Sequence, residues 1–317
     1  MVKTTKYKNF KIKKTHQNSI LLIGNFDGLH LGHQKLFKLA NIYKKKYKLK
    51  LGVITFDPIP KMFFNKNYVN YRISNFNQKL NYFKKYEVDF IINKKFNIKF
   101  SKIKYDDFIK NFLFKKLKVK FIFVSNNFRF GNKRIGNVRL LKKHGYKFNY
   151  QIVKPTPLIK NSQIVSSSLI RNLLSEGKLN KANKLLGRNW SIQGRVKEGR
   201  KMGRKIGFPT CNIDIKNYVI AKPGVYGVKV KIHNNSQYVK GIANLGYRPT
   251  FNQKKILLEV NLFNFNKNLY KRKIEVEFTK YIRGEKKFSG VESLKKQINR
   301  DIKIAKKIKI WAKKILF

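Results

Sequence analysis

Along the first half of the chain, short apolar runs rich in β-branched residues alternate with segments whose apolar residues recur every three or four positions. The runs lie at 19–23, 51–56, 88–92, 121–124 and 150–153, and the helical patterns lie between them, at 34–46, 77–86, 106–117 and 138–143. The runs predict buried strands and the spacing predicts amphipathic helices. Strands separated by helices build βαβ units, hence a parallel sheet with right-handed crossovers. Two further helices are expected at 166–174 and 179–186, with Ser166, Ser167 or Ser168 able to cap the first and Gly177 and Gly187 suited to the C-terminal ends. After Gly187 the pattern changes to short strands at 191–196, 210–215, 224–232, 238–245, 256–263 and 273–278, broken by glycine and proline turns. That spacing predicts an antiparallel β-barrel. A lysine-rich amphipathic helix at 293–316 closes the chain, with Leu294, Ile298, Ile302, Ala305, Ile308 and Trp311 along one side. It is expected to pack on the barrel. The fold class is therefore α/β, with a Rossmann-like domain at residues 1–187, a barrel domain at 188–317, and the boundary near 186–189.

The densest chemistry sits behind the first strand. Gly24-Asn25-Phe26-Asp27-Gly28-Leu29-His30-Leu31-Gly32-His33 follows the apolar run and leads into the first helix. A helix N-terminus exposes unpaired N–H groups and the positive end of the helix dipole, which makes it an anion site. Gly28 and Gly32 allow close backbone approach or positive φ. His30 and His33 can donate hydrogen bonds to phosphate oxygens as charge develops on them. The chemistry this predicts is attack on a nucleotide α-phosphate with pyrophosphate leaving. A His-x-Gly-His run behind a buried strand marks the nucleotidyltransferase superfamily.

Composition bounds the setting. The length of 317 residues suits two domains, and 42% hydrophobic residues is ordinary for a soluble globular protein. No apolar run approaches the roughly 18 residues of a membrane span, and the basic N-terminus is not followed by a secretory-signal core. The single cysteine, Cys211, excludes an internal disulfide framework and fits a reducing cytoplasm. A formal charge of +59 argues at face value for nucleic acid. The lysines, however, are spread along the whole chain. Asparagine, isoleucine, phenylalanine and tyrosine are abundant as well, and all of these share AT-rich codons. Base composition explains the charge without a specific nucleic-acid partner. A cytoplasmic protein is expected, monomeric or weakly oligomeric, with small-molecule partners and no membrane association.

A second chemical centre lies in the barrel half, at Gly207-Phe208-Pro209-Thr210-Cys211-Asn212-Ile213-Asp214. In a strand, alternate side chains share a face. Thr210, Asn212 and Asp214 are expected to face outward together, and Cys211, Ile213 and Ile215 the core. A hydroxyl and an amide oxygen two residues apart are hard ligands suited to the Mg²⁺ that accompanies ATP. Gly194, Gly199, Gly203 and Gly207, interleaved with Arg195, Arg200, Lys201, Arg204 and Lys205, form a plausible phosphate-covering loop. Glu259 interrupts the apolar strand 256–263, where a carboxylate is either a structural ion-pair partner or a general base.

Taken in order, these motifs resemble the bifunctional bacterial riboflavin kinase/FAD synthetases. The resemblance runs from about Asn18 to Lys307. It rests on Gly24 to Gln34, Thr55-Phe56-Asp57-Pro58, Asn127-Phe128-Arg129-Phe130-Gly131, Ser166-Ser167-Ser168-Leu169-Ile170-Arg171, Leu185-Leu186-Gly187-Arg188, Gly207 to Asn212, Gly224-Val225-Tyr226, Gly246-Tyr247-Arg248-Pro249-Thr250-Phe251 and Arg283-Gly284-Glu285-Lys286-Lys287-Phe288. It implies two ATP-dependent steps: phosphorylation of riboflavin to FMN in the barrel, then transfer of AMP to FMN in the first domain, giving FAD and pyrophosphate. By the same resemblance, Thr210 and Asn212 hold Mg-ATP and Glu259 takes the proton of the ribityl hydroxyl. Arg283 falls in a flavin-side loop. In the first domain His30 and His33 bind phosphates, Asn127 lies in the nucleotide and flavin pocket, and Ser166, Ser167 and Arg171 close over the triphosphate. Four positions depart from the family pattern: Ile59 and Asn261 stand where histidine is common, Asn137 where aspartate is common, and Ser168 where threonine is usual. The alternatives are another nucleotidyltransferase, retention of one activity only, or a non-enzymatic RNA-binding protein. The last leaves the histidine pair, Thr210, Asn212 and Glu259 unexplained.

Overall fold

The computed structural model describes residues 4–199, 201–232, 237–249 and 254–308. The chain divides into two compact units, one of residues 1–69 and 76–167, the other of residues 70–75 and 168–317.

The first unit is a six-stranded sheet of β1 (Thr5–Tyr7), β2 (Ile20–Ile23), β3 (Leu51–Asp57), β4 (Phe90–Lys95), β5 (Phe121–Phe123) and β6 (Gln151–Val153). The strand order is β1-β4-β3-β2-β5-β6 and every pairing is parallel. Period-two alternation splits the strands between two cores. Leu21, Ile23, Ile92 and Ile122 face one, and Ile20, Leu22, Ile91 and Phe123 face the other. Because both faces are covered, these strands are continuous apolar runs in the sequence. The chain order reverses at β2, so the carboxyl end of β2 is the topological switch point where ligands bind in such sheets. Helices α1 (Leu31–Tyr47), α2 (Phe76–Lys85) and α3 (Val138–Phe148) fill the expected crossovers.

Two local features differ from expectation. The strand β1 carries almost no pattern in its three residues and is missed by periodicity. The helix expected at 106–117 is a short turn, Tyr105–Asp107, followed by a π-helical stretch, Phe108–Lys116. There the rings of Phe108 and Phe112 pack on Phe10.

The second unit contains α4 (Ser167–Ser175) from its second residue, α5 (Leu179–Leu186), and a closed barrel. The barrel strands are β7 (Ser191–Lys197), β8 (Cys211–Asp214), β9 (Gly224–Ile232), β10 (Tyr238–Pro249), β11 (Lys254–Leu262) and β12 (Lys273–Arg283), in the antiparallel order β7-β8-β11-β10-β9-β12. Helix α6 (Val291–Lys306) brings Ala305, Ile298 and Ile302 onto Val225 and Ile242 of the barrel. The outer part of the terminal pattern, including Trp311, lies outside the described residues.

By packing, the two helices before residue 188 associate with the barrel. Ile170 and Leu174 of α4 and Leu179, Ala182 and Leu186 of α5 join the barrel core. Asn183 of α5 donates to the Phe278 carbonyl at 3.0 Å and accepts from the Trp190 N–H at 2.8 Å. The segment 70–75 belongs with them. Ile73 is buried in the barrel core, the Trp190 indole N–H donates to its carbonyl at 3.0 Å, and Tyr71 and Arg72 donate backbone N–H groups to the Asn217 carbonyl at 3.2 and 2.8 Å. The sequence shows that these helices are amphipathic; it does not show which apolar surface their faces meet.

Candidate active sites

At the switch point the backbone turns sharply between β2 and α1. Phe26 is left-handed and Gly28 has φ +77°, a conformation that glycine adopts without steric cost. Gly32 sits where an added Cβ would lie 3.2 Å from both the His30 ring and the Val165 carbonyl. His30 is the N-cap of α1, and its Nδ1 accepts the His33 N–H at 3.4 Å. The tautomer that this bond requires carries its proton on Nε2, a donor. The two imidazoles stack with centroids 3.7 Å apart, and the Phe26 ring meets His33 edge-on at 5.3 Å. The His33 pKa is held well below 6.5, first by burial, then by the neighbouring His30 and by the Lys79 ammonium. A neutral pair at a helix N-terminus accommodates an anion through N–H donors.

Most of the expected residues of this unit converge. Gly24 continues the sheet ladder, its N–H donating to the Ile54 carbonyl at 3.1 Å. Asp27 is buried, and its carbonyl accepts the Ser167 hydroxyl at 2.9 Å, which ties the Ser166-Ser167 segment to the turn. Asn25 Oδ1 and His33 Nδ1 are both buried with no hydrogen-bond partner. Arg171 is the exception, because it belongs to the second unit. Its Nε donates to the Tyr71 carbonyl at 2.7 Å and its guanidinium lies 3.7 Å from the Tyr71 ring centroid.

Asn127 follows β5, which pairs in parallel with β2, so both loops leave the same edge of the sheet. It lines a cavity of about 390 Å³ with Asn126, Arg129, Arg134, Asn137 and Arg139. Arg129 falls in a quoted motif without an assigned role, and Arg134 and Arg139 fall in none. A signal for them exists: the chain has 13 arginines against 61 lysines, so arginine is the rarer, more informative cation here. Asn137 caps α3, its Oδ1 accepting the Leu140 N–H at 3.0 Å, a task that asparagine and aspartate perform equally. Ile59 is buried.

The barrel site is assembled by strand register. Asn212 of β8 lies opposite Glu259 of β11, and Glu259 lies opposite Asn244 of β10. Leu258, Val260 and Ile213, on the other faces of these strands, enter the core. Asn212 does not face solvent as expected: it is buried, because the loop after β7 folds over it. Gly199 sits so close that an added Cβ would overlap the Asn212 amide nitrogen, and an added Cβ at Gly203 would reach 3.4 Å from the Thr210 hydroxyl. The Asn212 Oδ1 is buried without a hydrogen-bond partner. Gly207 has φ +90°. Asn261 donates to the Pro209 carbonyl at 2.7 Å and so fixes the backbone leading into Thr210. Its role is local scaffolding, whatever a histidine does there elsewhere. Asn244 was missed because nothing in its own segment distinguishes it; only the register places it beside Glu259. Arg200 lies outside the described residues.

Arg283, expected in a flavin-side loop, has its guanidinium held within the fold. Its Nε and Nη2 grip the buried Asp301 of α6 at 2.8 to 3.1 Å, and its Nη1 donates to the Gly284 carbonyl at 2.9 Å. The guanidinium is a scaffold that joins β12 to α6. The Glu285 carboxylate in the adjoining loop reaches Gly246, where only the absence of a Cβ leaves room for it. Among the described residues no cluster of three His, Cys, Asp or Glu side chains could hold a metal ion, and no helix is long and apolar enough to cross a membrane.

Comparison with known proteins agrees with this layout. A family model described as FAD synthetase matches residues 12–169, and one described as riboflavin kinase matches residues 186–309. A bifunctional riboflavin kinase/FMN adenylyltransferase from Buchnera aphidicola subsp. Schizaphis graminum is 46% identical over 93% of this chain and 96% of its own. One of the same name from Escherichia coli K12 is 35% identical over 90% and 91%. A crystal structure titled as a macrolide-efflux protein from Streptococcus pneumoniae is similar with a TM-score of 0.86 at 28% identity, covering 98% of this chain and all of that one. With a nucleotide-type switch point in one unit, an amide–carboxylate row across three barrel strands in the other, and relatives alike along nearly their whole length, the chain belongs to the bifunctional riboflavin kinase/FMN adenylyltransferase family.

Proposed function

We propose how the chain's residues divide the two activities that membership of this family brings, conversion of riboflavin to FMN and of FMN to FAD, each at the expense of ATP. In the barrel, Glu259 takes the proton of the ribityl hydroxyl as its oxygen attacks the ATP γ-phosphate and ADP leaves. The Thr210 hydroxyl and the Asn212 Oδ1 fit the Mg²⁺ of Mg-ATP: both are neutral hard oxygens, and the buried Asn212 oxygen lacks any other partner. Bound there, the ion would neutralise phosphate charge. Gly199 lies against the Asn212 amide and Gly203 beside the Thr210 hydroxyl.

In the first unit the FMN phosphate attacks the ATP α-phosphate in line, and pyrophosphate leaves. His30 donates from Nε2, and the N-terminus of α1 supplies further N–H groups. A phosphate nucleophile is already deprotonated and needs no base, whereas an alcohol does. That difference accounts for a carboxylate in one site and neutral histidines in the other. Adenylyl and phosphoryl transfer depend on positioning and charge neutralisation more than on covalent help. Arg129, Arg134 and Arg139 give the cavity beside Asn127 the charge that an anionic flavin phosphate calls for. Ser166 and Ser167 hold the turn. The protein works in the cytoplasm as a monomer or weak oligomer, without a specific nucleic-acid partner.

One observation carries this assignment. Of the nine side-chain polar atoms buried without a partner among the described residues, four lie where ligands are expected: Asn25 Oδ1, His33 Nδ1 and Asn126 Oδ1 in the first unit, and Asn212 Oδ1 in the second. Each such atom costs about 1–3 kcal/mol unless something fills its valence. The test is a time course of riboflavin, FMN and FAD with the pure chain, ATP and Mg²⁺. FMN should rise first and FAD follow. Asn212→Ala should stall at riboflavin and His33→Ala at FMN. The reverse pattern would exchange the two sites.

A further inference from the structure

One buried cation is explained by no motif. Helix α2 presents Phe76, Leu80 and Phe83 to the core at helical spacing, and Lys79 lies within the same stripe. Its side chain is 3% exposed. A lysine is almost never buried to this degree unless its ammonium has something to hold. The Lys79 Nζ donates to the Asn25 carbonyl and to the Thr55 hydroxyl, both at 3.3 Å, and the Thr55 hydroxyl donates in turn to the same Asn25 carbonyl at 3.3 Å. Asn25 begins the turn that carries the histidine pair, and Thr55 lies in β3, the strand beside β2. The three groups form a closed triangle beneath the turn.

We propose that Lys79 is a positioning residue of the adenylyltransferase site, locking the Asn25 turn to β3 and setting a fixed positive charge beside the His30–His33 pair where the triphosphate binds. The proposal rests on the assignment of the histidine pair to adenylyl transfer made above. Two consequences follow from the geometry. The turn is pre-formed before ATP arrives, so the N–H groups and the unpartnered Asn25 Oδ1 are already aimed. The charge also acts on His33. The titratable groups that face His33 are His30 on its own turn and Lys79 on α2; both disfavour the imidazolium, and burial adds to them. The ammonium thus supplies the positive charge itself while keeping His33 a neutral hydrogen-bonding ring.

The test compares Lys79→Met and Lys79→Arg in the full chain. Methionine keeps the length and apolar stem of lysine and removes the charge. FAD formation from supplied FMN should fall about 10- to 100-fold in Lys79→Met, mostly in kcat, as expected for lost positioning. Lys79→Arg should recover part of it. FMN formation from riboflavin reports only that the other unit has folded, so calorimetry of the full chain, which records the melting of both units, checks the fold of the sheet unit. The specific readout is the His33 ring followed by NMR. Loss of the like charge should raise its titration toward 6.5 and move the acid limb of the FAD-formation profile to higher pH. A merely structural lysine would lower the melting temperature without moving that titration, and this outcome overturns the proposal. FAD formation intact in Lys79→Met but lost in His30→Ala and His33→Ala also overturns the proposal, leaving the site in place. FAD formation intact in all three overturns the site assignment and the proposal with it.

Discussion

The two units solve related phosphate chemistry with opposite sequence logic. In the sheet unit, the turn from Gly24 to His33 is a single unbroken stretch, because one strand end and one helix start are enough to make an anion site. In the barrel, Asn212, Asn244 and Glu259 come from three strands, and the loop bearing Gly199, which follows a fourth, covers Asn212. The first site is a property of a local turn, the second of a closed sheet's register. The first is therefore disturbed mainly by changes in or beneath its turn. The second is disturbed by anything that shifts one strand against another.

The sharpest way to break the comparison is to cut the barrel free. A fragment of residues 188–317 loses the cover of Ile170, Leu174, Leu179 and Leu186, each of them nearly inaccessible to solvent. At about 1.5–3 kcal/mol for each buried aliphatic side chain, that loss rivals the whole stability of a domain. The fragment 168–317 should melt well above 188–317, and co-expression of residues 1–167, which carry the 70–75 segment, should raise it further. Trp190 is buried in this unit and the sequence of the other unit holds no tryptophan, so tryptophan fluorescence does not report the sheet unit. Equal melting of the two fragments would show that α4 and α5 belong with the sheet unit.

Next in size is Glu259→Gln, which removes the proposed base and keeps the shape. FMN formation should fall about 10²- to 10⁴-fold, while adenylylation of supplied FMN proceeds. An equal loss in both steps would mean that the units do not act separately. His30→Ala and His33→Ala should cut FAD formation by about 10²–10³, the cost of removing a preorganised donor, with FMN accumulating. Unchanged FAD formation in both would remove the histidines from the mechanism.

The smallest effect is pH-dependent. The folded-state pKa of His33 lies below its unfolded value near 6.5, so below 6.5 the unfolded chain binds more protons than the folded one. Stability of the sheet unit should therefore fall as pH drops through 6.5 toward the folded pKa. Tryptophan fluorescence, which follows the barrel, should show a smaller change than calorimetry of the whole chain. His33→Gln should flatten the difference.

Much of this was legible from residues alone. The strands at 20–23, 51–57 and 224–232 announce themselves, because burial on both faces, or alternation across one, writes a period that no other structure needs. The histidine turn is legible because its geometry is local. The family resemblance extended this to Thr210, Asn212 and Glu259. Arg283 shows the limit: its guanidinium is engaged by Asp301, 18 residues away in the next element. Nothing in the sequence pairs those two residues.

By itself, then, the sequence determined the alternation of elements, the switch-point turn and the two kinds of chemistry, because each depends on side chains within a turn or a strand of one another. Tertiary structure alone decided that α4, α5 and the 70–75 segment complete the barrel, that Asn212 is buried beneath a glycine loop, and that Lys79 reaches the histidine turn. Those outcomes depend on which apolar faces meet and how strands align. Such long-range choices are made by packing, and a hydrophobic stripe states that a partner exists without naming it.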